Sequence, residues 1–330
     1  MNRIGVIGAG AWGTALAATA RRAGADVLIW GRDGETVATI NRDHENRQRL
    51  PGVALDPAIR ATGDPADFSD CEALLLACPA QAVRTVLAEF AAHIAPGTPV
   101  VICAKGIERD TGLSMAEVVS NVSPEVTVAV LSGPSFAGDV ASGKPTAVTL
   151  ACADEAKGHA LLEAIGTRTF RPYYSSDVTG TQIGGSAKNV LAIASGIVDG
   201  RDLGASASAA LITRGFAELA RLGMALGARP DTLAGLSGLG DLVLTCGSRQ
   251  SRNMAFGHRL GTGSSVDDAL AASRAVAEGV WTAPALVQLA RDKGIEMPIA
   301  FAVDAVLARR MSVDEAIESL LARPFRAETG

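Results

Sequence analysis

Lys188 sits in a run of small residues, Gly184-Gly185-Ser186-Ala187-Lys188-Asn189, inside a long stretch with helical spacing. A lysine held away from water and near another cation loses basicity, and can then give or take a proton near neutral pH. Only four histidines are present (His44, His93, His159, His258), which leaves lysine as the natural acid/base candidate. Gly184, Lys188 and Ala192 fall at i, i+4 and i+8 and share one helix face. That strip either leaves room for a ligand beside Lys188 or packs closely on another helix with Lys188 at the rim. Three further segments carry matching groups. They are Ala104-Lys105-Gly106, then Gly133-Pro134-Ser135-Phe136-Ala137, then a stretch from Gly238-Leu239-Gly240-Asp241-Leu242 through Thr245 to Ser251-Arg252-Asn253. Asp241 suits either charge pairing with a lysine or a helix N-cap. Arg252 with its Ser and Asn neighbours offers a charged fork suited to phosphate.

A second kind of chemistry is written in backbone. Gly8-Ala9-Gly10-Ala11-Trp12-Gly13 follows an apolar run at 3–7 and opens a helical stretch at 12–23, which Gly24 ends before a strand at 26–30. In that strand–turn–helix–strand setting the spacing is a dinucleotide fingerprint. Gly8 permits the turn, Gly10 lets backbone approach a pyrophosphate, and Gly13 lets the helix pack on the strand. The free N–H groups of Ala11 and Trp12 would face the phosphates. Joined to a lysine acid, such a site implies hydride transfer with a nicotinamide cofactor. Sites for NAD usually place an acidic residue after the second strand. Here the strand is followed by Gly31 and Arg32, and a guanidinium suits a 2′-phosphate. Adjacent Asp33 blurs the distinction, and the expectation is NADP(H) used at least as well as NAD(H).

These residues need elements to hold them. Strands are predicted at 73–77, 99–103, 127–131, 146–150 and 169–174, with helices near 80–93, 112–121 and 154–165 between them. Lys105 and Gly133 then lie just past strand ends, where open α/β sheets bind ligands. After about residue 177 the spacing turns helical, at 180–199, 206–227, 265–277, 283–293, 299–310 and 313–321. The last of these opens on a Ser312/Glu315 capping box. The fold class is therefore an α/β Rossmann-type N-terminal domain (1–180) followed by an all-α domain (181–330).

The 330 residues suffice for two such domains. A net charge of −5 argues against a nucleic-acid partner. Hydrophobic residues make up 48% and charged residues 20%, which excludes disorder. No uncharged run is long enough for membrane insertion. Five widely spaced cysteines without a C-x-x-C argue against disulfides or a metal site and favour the cytoplasm. The alanine-rich start is broken by Gly8, Gly10 and Gly13, unlike a signal peptide. The 36 glycines, roughly 11% against a usual ~7%, mark turns and close approaches. Those not beside the predicted site are expected to be plain helix ends.

In this order the motifs resemble the bacterial NAD(P)-dependent glycerol-3-phosphate dehydrogenases over nearly the whole chain. The likeness also takes in His44-Glu45-Asn46 with Leu50-Pro51-Gly52, residues 210–215, and Val276-Ala277-Glu278-Gly279. It implies reversible reduction of dihydroxyacetone phosphate to sn-glycerol 3-phosphate, feeding glycerophospholipid synthesis, by a homodimer. It implies Lys188 as proton donor/acceptor, Asp241 as catalytic carboxylate, and Lys105, Gly133, Ser135, Asn189, Thr245, Ser251, Arg252 and Asn253 at the substrate. Ala137, Arg252, Val276 and Glu278 would lie near the cofactor. One departure is Ser206 and Ser208, where relatives commonly carry Asn and a basic residue; Ser206 is expected to cap a helix. A β-hydroxy-acid dehydrogenase or a non-catalytic NAD(P) sensor would share the fingerprint. The first would lack the phosphate grip, the second the lysine.

Overall fold

The computed structural model describes residues 1–272, 277–325 and 327. Its first half is an eight-stranded sheet: β1 (Arg3–Ile7), β2 (Asp26–Trp30), β3 (Arg60–Thr62), β4 (Ala73–Leu76), β5 (Pro99–Ile102), β6 (Thr127–Ser132), β7 (Thr146–Cys152) and β8 (Phe170–Ser175). The spatial order is β3-β2-β1-β4-β5-β6-β7-β8. All neighbours run parallel except β6 and β7. The central strands β4 and β5 are buried along their whole length, as expected of apolar runs covered on both faces. One cover contains α1 (Ala11–Arg22), α5 (Ala137–Ala141) and α6 (Glu155–Ile165); the other contains α3 (Val83–Phe90) and α4 (Met115–Val122). A short α2 (Gly34–Asp43) completes this half.

The chain order reverses between β1 and β4, so their loops part at the sheet's carboxyl edge and open a crevice. Gly8 lies there at φ +119°, where a Cβ would sit 2.9 Å from the Cys78 nitrogen. The turn therefore needs glycine on two counts.

The second half is built around α7 (Val178–Gly200), whose residues from Gly180 to Val198 are all buried. A helix buried on every side must be surrounded. It packs against α8 (Gly204–Ala225), α9 (Pro230–Ala234), α10 (Asp241–Cys246), α11 (Arg252–Gly261), α13 (Glu278–Asp292) and α14 (Pro298–Leu307), while α12 (Val266–Ala271) packs on α11 and α15 (Val313–Leu321) on α14. A π-helical turn, Leu236–Gly240, joins α9 to α10. The capping box at Ser312 and Glu315 forms as predicted. Among the described residues, no helix is long and apolar enough to cross a membrane.

Several expectations are corrected. The helix read at 265–277 spans only Val266–Ala271, and Val276 lies outside the described residues. The stretch 80–93 is one α-helix flanked by two 3₁₀ turns. Ser206 does not cap α8, because that helix already begins at Gly204. The elements between 230 and 261 were missed; they are short and their glycines read as loop. Nor are the glycines outside the predicted site all helix ends. A Cβ on Gly196 would lie 2.1 Å from the Met254 oxygen, and one on Gly257 would lie 2.0 Å from the Ile193 oxygen. Gly200 and Gly261 face each other in the same way. The backbones of α7 and α11 thus touch directly, through glycines four residues apart on each helix.

Candidate active site

Four segments distant in sequence converge on one carboxylate. Lys188, 5% exposed on α7, donates to Asp241 Oδ1 at 2.5 Å and to Thr245 Oγ1 at 2.8 Å. Lys105, just past β5, donates to Asp241 Oδ2 at 2.8 Å and to the Gly133 carbonyl at 3.0 Å. Two ammonium groups on one carboxylate leave the cluster with a net positive charge. Burial, helped by the Lys105 charge, pulls Lys188 down to about 8 against the opposing pull of Asp241. Burial would raise Asp241, but the two lysines outweigh it and hold its carboxyl below the usual range.

The fold explains why Asp241 points inward. It is the first residue of α10, not its N-cap, and its oxygens are occupied by the lysines. The wide π turn before it brings residues 236–240 against α7. A Cβ on Gly184 would meet the Ser237 oxygen at 2.6 Å, so this face of α7 is closed by backbone. Of the two readings of that strip, close packing holds at Gly184, but against the π turn rather than a neighbouring α-helix, and Lys188 is buried rather than at the rim. At Gly185 the space is taken by Ser132 Oγ and the Lys105 stem, which is how Lys105 crosses α7 to reach Asp241.

A chain of amides supports the cluster. Asn189 donates to the Lys105 carbonyl at 2.9 Å and accepts from Asn253 at 2.9 Å. Asn253 in turn accepts from the Gly279 N–H at 2.9 Å. Ser251 caps α11 by accepting from Met254, and Ser135 donates to Gly133 O at 3.0 Å. Arg252, the first residue of α11, is exposed.

The glycine loop is shaped for an anion. Gly10 ends it as the N-cap of α1, with no side-chain cap and nothing within 4 Å of its Cβ position. A Cβ on Gly13 would lie 1.9 Å from the Gly8 oxygen, so only glycine lets α1 pack this closely. Trp12 Nε1 and Glu278 Oε2 are buried polar atoms without a partner among the described residues. Burial raises the Glu278 carboxyl, and its other oxygen accepts from the Ala80 N–H. These features fit a dinucleotide lying across the crevice. Arg32 is exposed after β2, while Asp33 caps α2 by accepting from the Thr36 N–H and hydroxyl. Ala137 begins α5, half-buried. Sequence reasoning missed Ser132 and Thr282, buried hydroxyls beside Gly185 and Gly106 that have no partner among the described residues. A lone Ser or Thr carries no motif, so no sequence signal marks them.

A Rossmann-type crevice facing a buried lysine–carboxylate cluster defines a nicotinamide-dependent oxidoreductase with a helical second domain. Models of the NAD-dependent glycerol-3-phosphate dehydrogenase N-terminus and C-terminus match residues 3–158 and 177–318. The chain is 57% identical over 328 residues to the glycerol-3-phosphate dehydrogenase (NAD(P)+) of Parvibaculum lavamentivorans, covering 99% of this chain and 98% of that one. It is 58% identical over 326 residues to that of Maricaulis maris, again covering 99% and 98%. The crystal structure of glycerol-3-phosphate dehydrogenase from Coxiella burnetii superimposes with a TM-score of 0.93 at 37% identity, covering 98% of this chain and 99% of that one. The chain belongs to the NAD(P)-dependent glycerol-3-phosphate dehydrogenase family.

Proposed function

We propose that the protein reversibly reduces dihydroxyacetone phosphate to sn-glycerol 3-phosphate with NAD(P)H, and that Lys188 is the proton donor. The observation that carries this reading is Lys188 buried on Asp241 and Thr245 with its pKa near 8, beside the crevice. The bound cofactor supplies the hydride. Protonated Lys188 gives its proton to the oxygen that becomes the alcohol, and takes it back in the reverse direction. Asp241 holds the ammonium in place, and Lys105 adds positive charge where negative charge develops on that oxygen. Arg252 is the exposed cation for the phosphate, with Gly133, Ser135, Asn189, Thr245, Ser251 and Asn253 around the substrate. Ala137, Arg252 and Glu278 would flank the cofactor.

The same reading favours NADPH. With Asp33 occupied by Thr36, exposed Arg32 is left to meet a 2′-phosphate. We also propose a division near residue 180, where the spacing turns helical, and a cytoplasmic location on the cysteine usage; the family likeness supports a homodimer that supplies glycerophospholipid synthesis. The experiment is NADPH absorbance with dihydroxyacetone phosphate, beside a ketone carrying a carboxylate instead of phosphate. Oxidation only with the phosphorylated ketone is expected. No oxidation at any neutral or mildly alkaline pH would overturn the reading.

A further inference from the structure

The His44-Glu45-Asn46 and Leu50-Pro51-Gly52 segment is far from the lysine cluster in sequence and has no part in the chemistry above. Its central residue is completely buried: Asn46 is 0% exposed. One amide hydrogen goes to the Ala9 carbonyl at 2.9 Å and the other to Thr14 Oγ1 at 2.8 Å. Its Oδ1 accepts from the Arg49 N–H at 3.2 Å. The segment is itself braced. His44 ends α2 in the left-handed region at φ +52°, Glu45 accepts from the Gly52 N–H at 2.8 Å, and Leu50 and Leu55 are buried in the core that holds α1.

Ala9 is the second residue of the glycine loop, so Asn46 grips that loop from behind. A trans peptide is rigid, with its C=O and the next N–H pointing in opposite directions. Fixing the Ala9 carbonyl on Asn46 therefore aims the Gly10 N–H away from Asn46. It also keeps a carbonyl oxygen, which repels anions, from turning toward the phosphate side. We infer that Asn46 is a positioning residue for the cofactor: its amide locks the Ala9–Gly10 peptide so that the loop presents N–H groups to the dinucleotide's pyrophosphate. The inference rests on the reading that residues 8–13 hold that pyrophosphate.

The test compares Asn46→Ala, the similarly sized Asn46→Leu, and Thr14→Val, which removes only the other acceptor. NADPH dissociation constants come from fluorescence titration, alongside Tm and steady-state kinetics. Both Asn46 variants are expected to weaken NADPH binding about tenfold or more, the size of one lost hydrogen bond to a charged group. Their kcat at saturating NADPH and KM for dihydroxyacetone phosphate should stay within about twofold, since the lysine cluster is untouched. Thr14→Val should lower Tm yet leave NADPH affinity within about twofold. If whichever Asn46 variants fold bind NADPH like the unsubstituted protein and lose only Tm, Asn46 is a plain structural staple and the inference fails. If the unsubstituted protein does not bind NADPH at all, the dinucleotide reading itself fails.

Discussion

The glycine loop and the lysine cluster solve recognition in opposite ways. The loop works with backbone: residues 8–13 are contiguous, and what matters is where side chains are absent. The cluster works with side chains brought from three places: Lys105 past β5, Lys188 on α7, and Asp241 and Thr245 one turn apart on α10. A backbone site is fixed largely by local geometry, here braced from outside by the Asn46 amide on the Ala9 carbonyl. A side-chain site of buried charges depends on every element that delivers one, because an unpaired buried charge is costly.

Substitutions can sharpen or break that contrast. The largest effect is expected for Lys188→Ala. Its kcat should fall by about 10³ or more, within the range for loss of general acid catalysis, while NADPH affinity is retained. Near-normal turnover would break the assignment. Asp241→Asn comes next, with kcat down by about 10² and a clear loss of Tm, since two ammonium groups then face each other without a counter-charge. Its pH profile carries the sign. In the proposed mechanism ketone reduction uses protonated Lys188, so in the unsubstituted protein kcat should decline as pH rises through about 8. Removing the carboxylate lowers the lysine further, so that limb should move to lower pH. A limb that moves alkaline, or stays put, excludes Lys188 as the titrating group.

The loop gives smaller and more local effects. Gly10→Val places its side chain in open space, so Tm should hold while NADPH affinity falls about tenfold or more. Gly13→Ala puts a Cβ 1.9 Å from the Gly8 oxygen and should lower Tm and affinity together. Equal behaviour of the two variants in a melting and binding experiment would remove the distinction. The smallest effect is at Arg32→Ala, which should weaken NADPH by about tenfold, as for loss of one charge-assisted contact, and leave NADH unchanged.

The contrast also explains what could be read from sequence. The fingerprint was legible because its six residues are neighbours and its setting of strand, helix and strand is local. Lys188 drew notice through its small neighbours, yet their purpose was only visible in three dimensions. Gly184 admits the backbone at Ser237, and nothing in the spacing of 184, 188 and 192 distinguishes that from a ligand pocket. Asp241 could be picked out, but the π turn that aims it could not, because its glycines look like loop. Asn46 was visible only as part of a likeness; its bond to the Ala9 carbonyl joins residues 37 apart.

The direct contact between α7 and α11 has a mechanical consequence. At Gly196, Gly200, Gly257 and Gly261 the two backbones press on each other with no side chain between them, and the Asn253–Asn189 hydrogen bond ties the helices again toward the cluster. Close backbone packing leaves little room for one helix to slide on the other, so the contact couples the Lys188 helix to the helix that begins at Arg252.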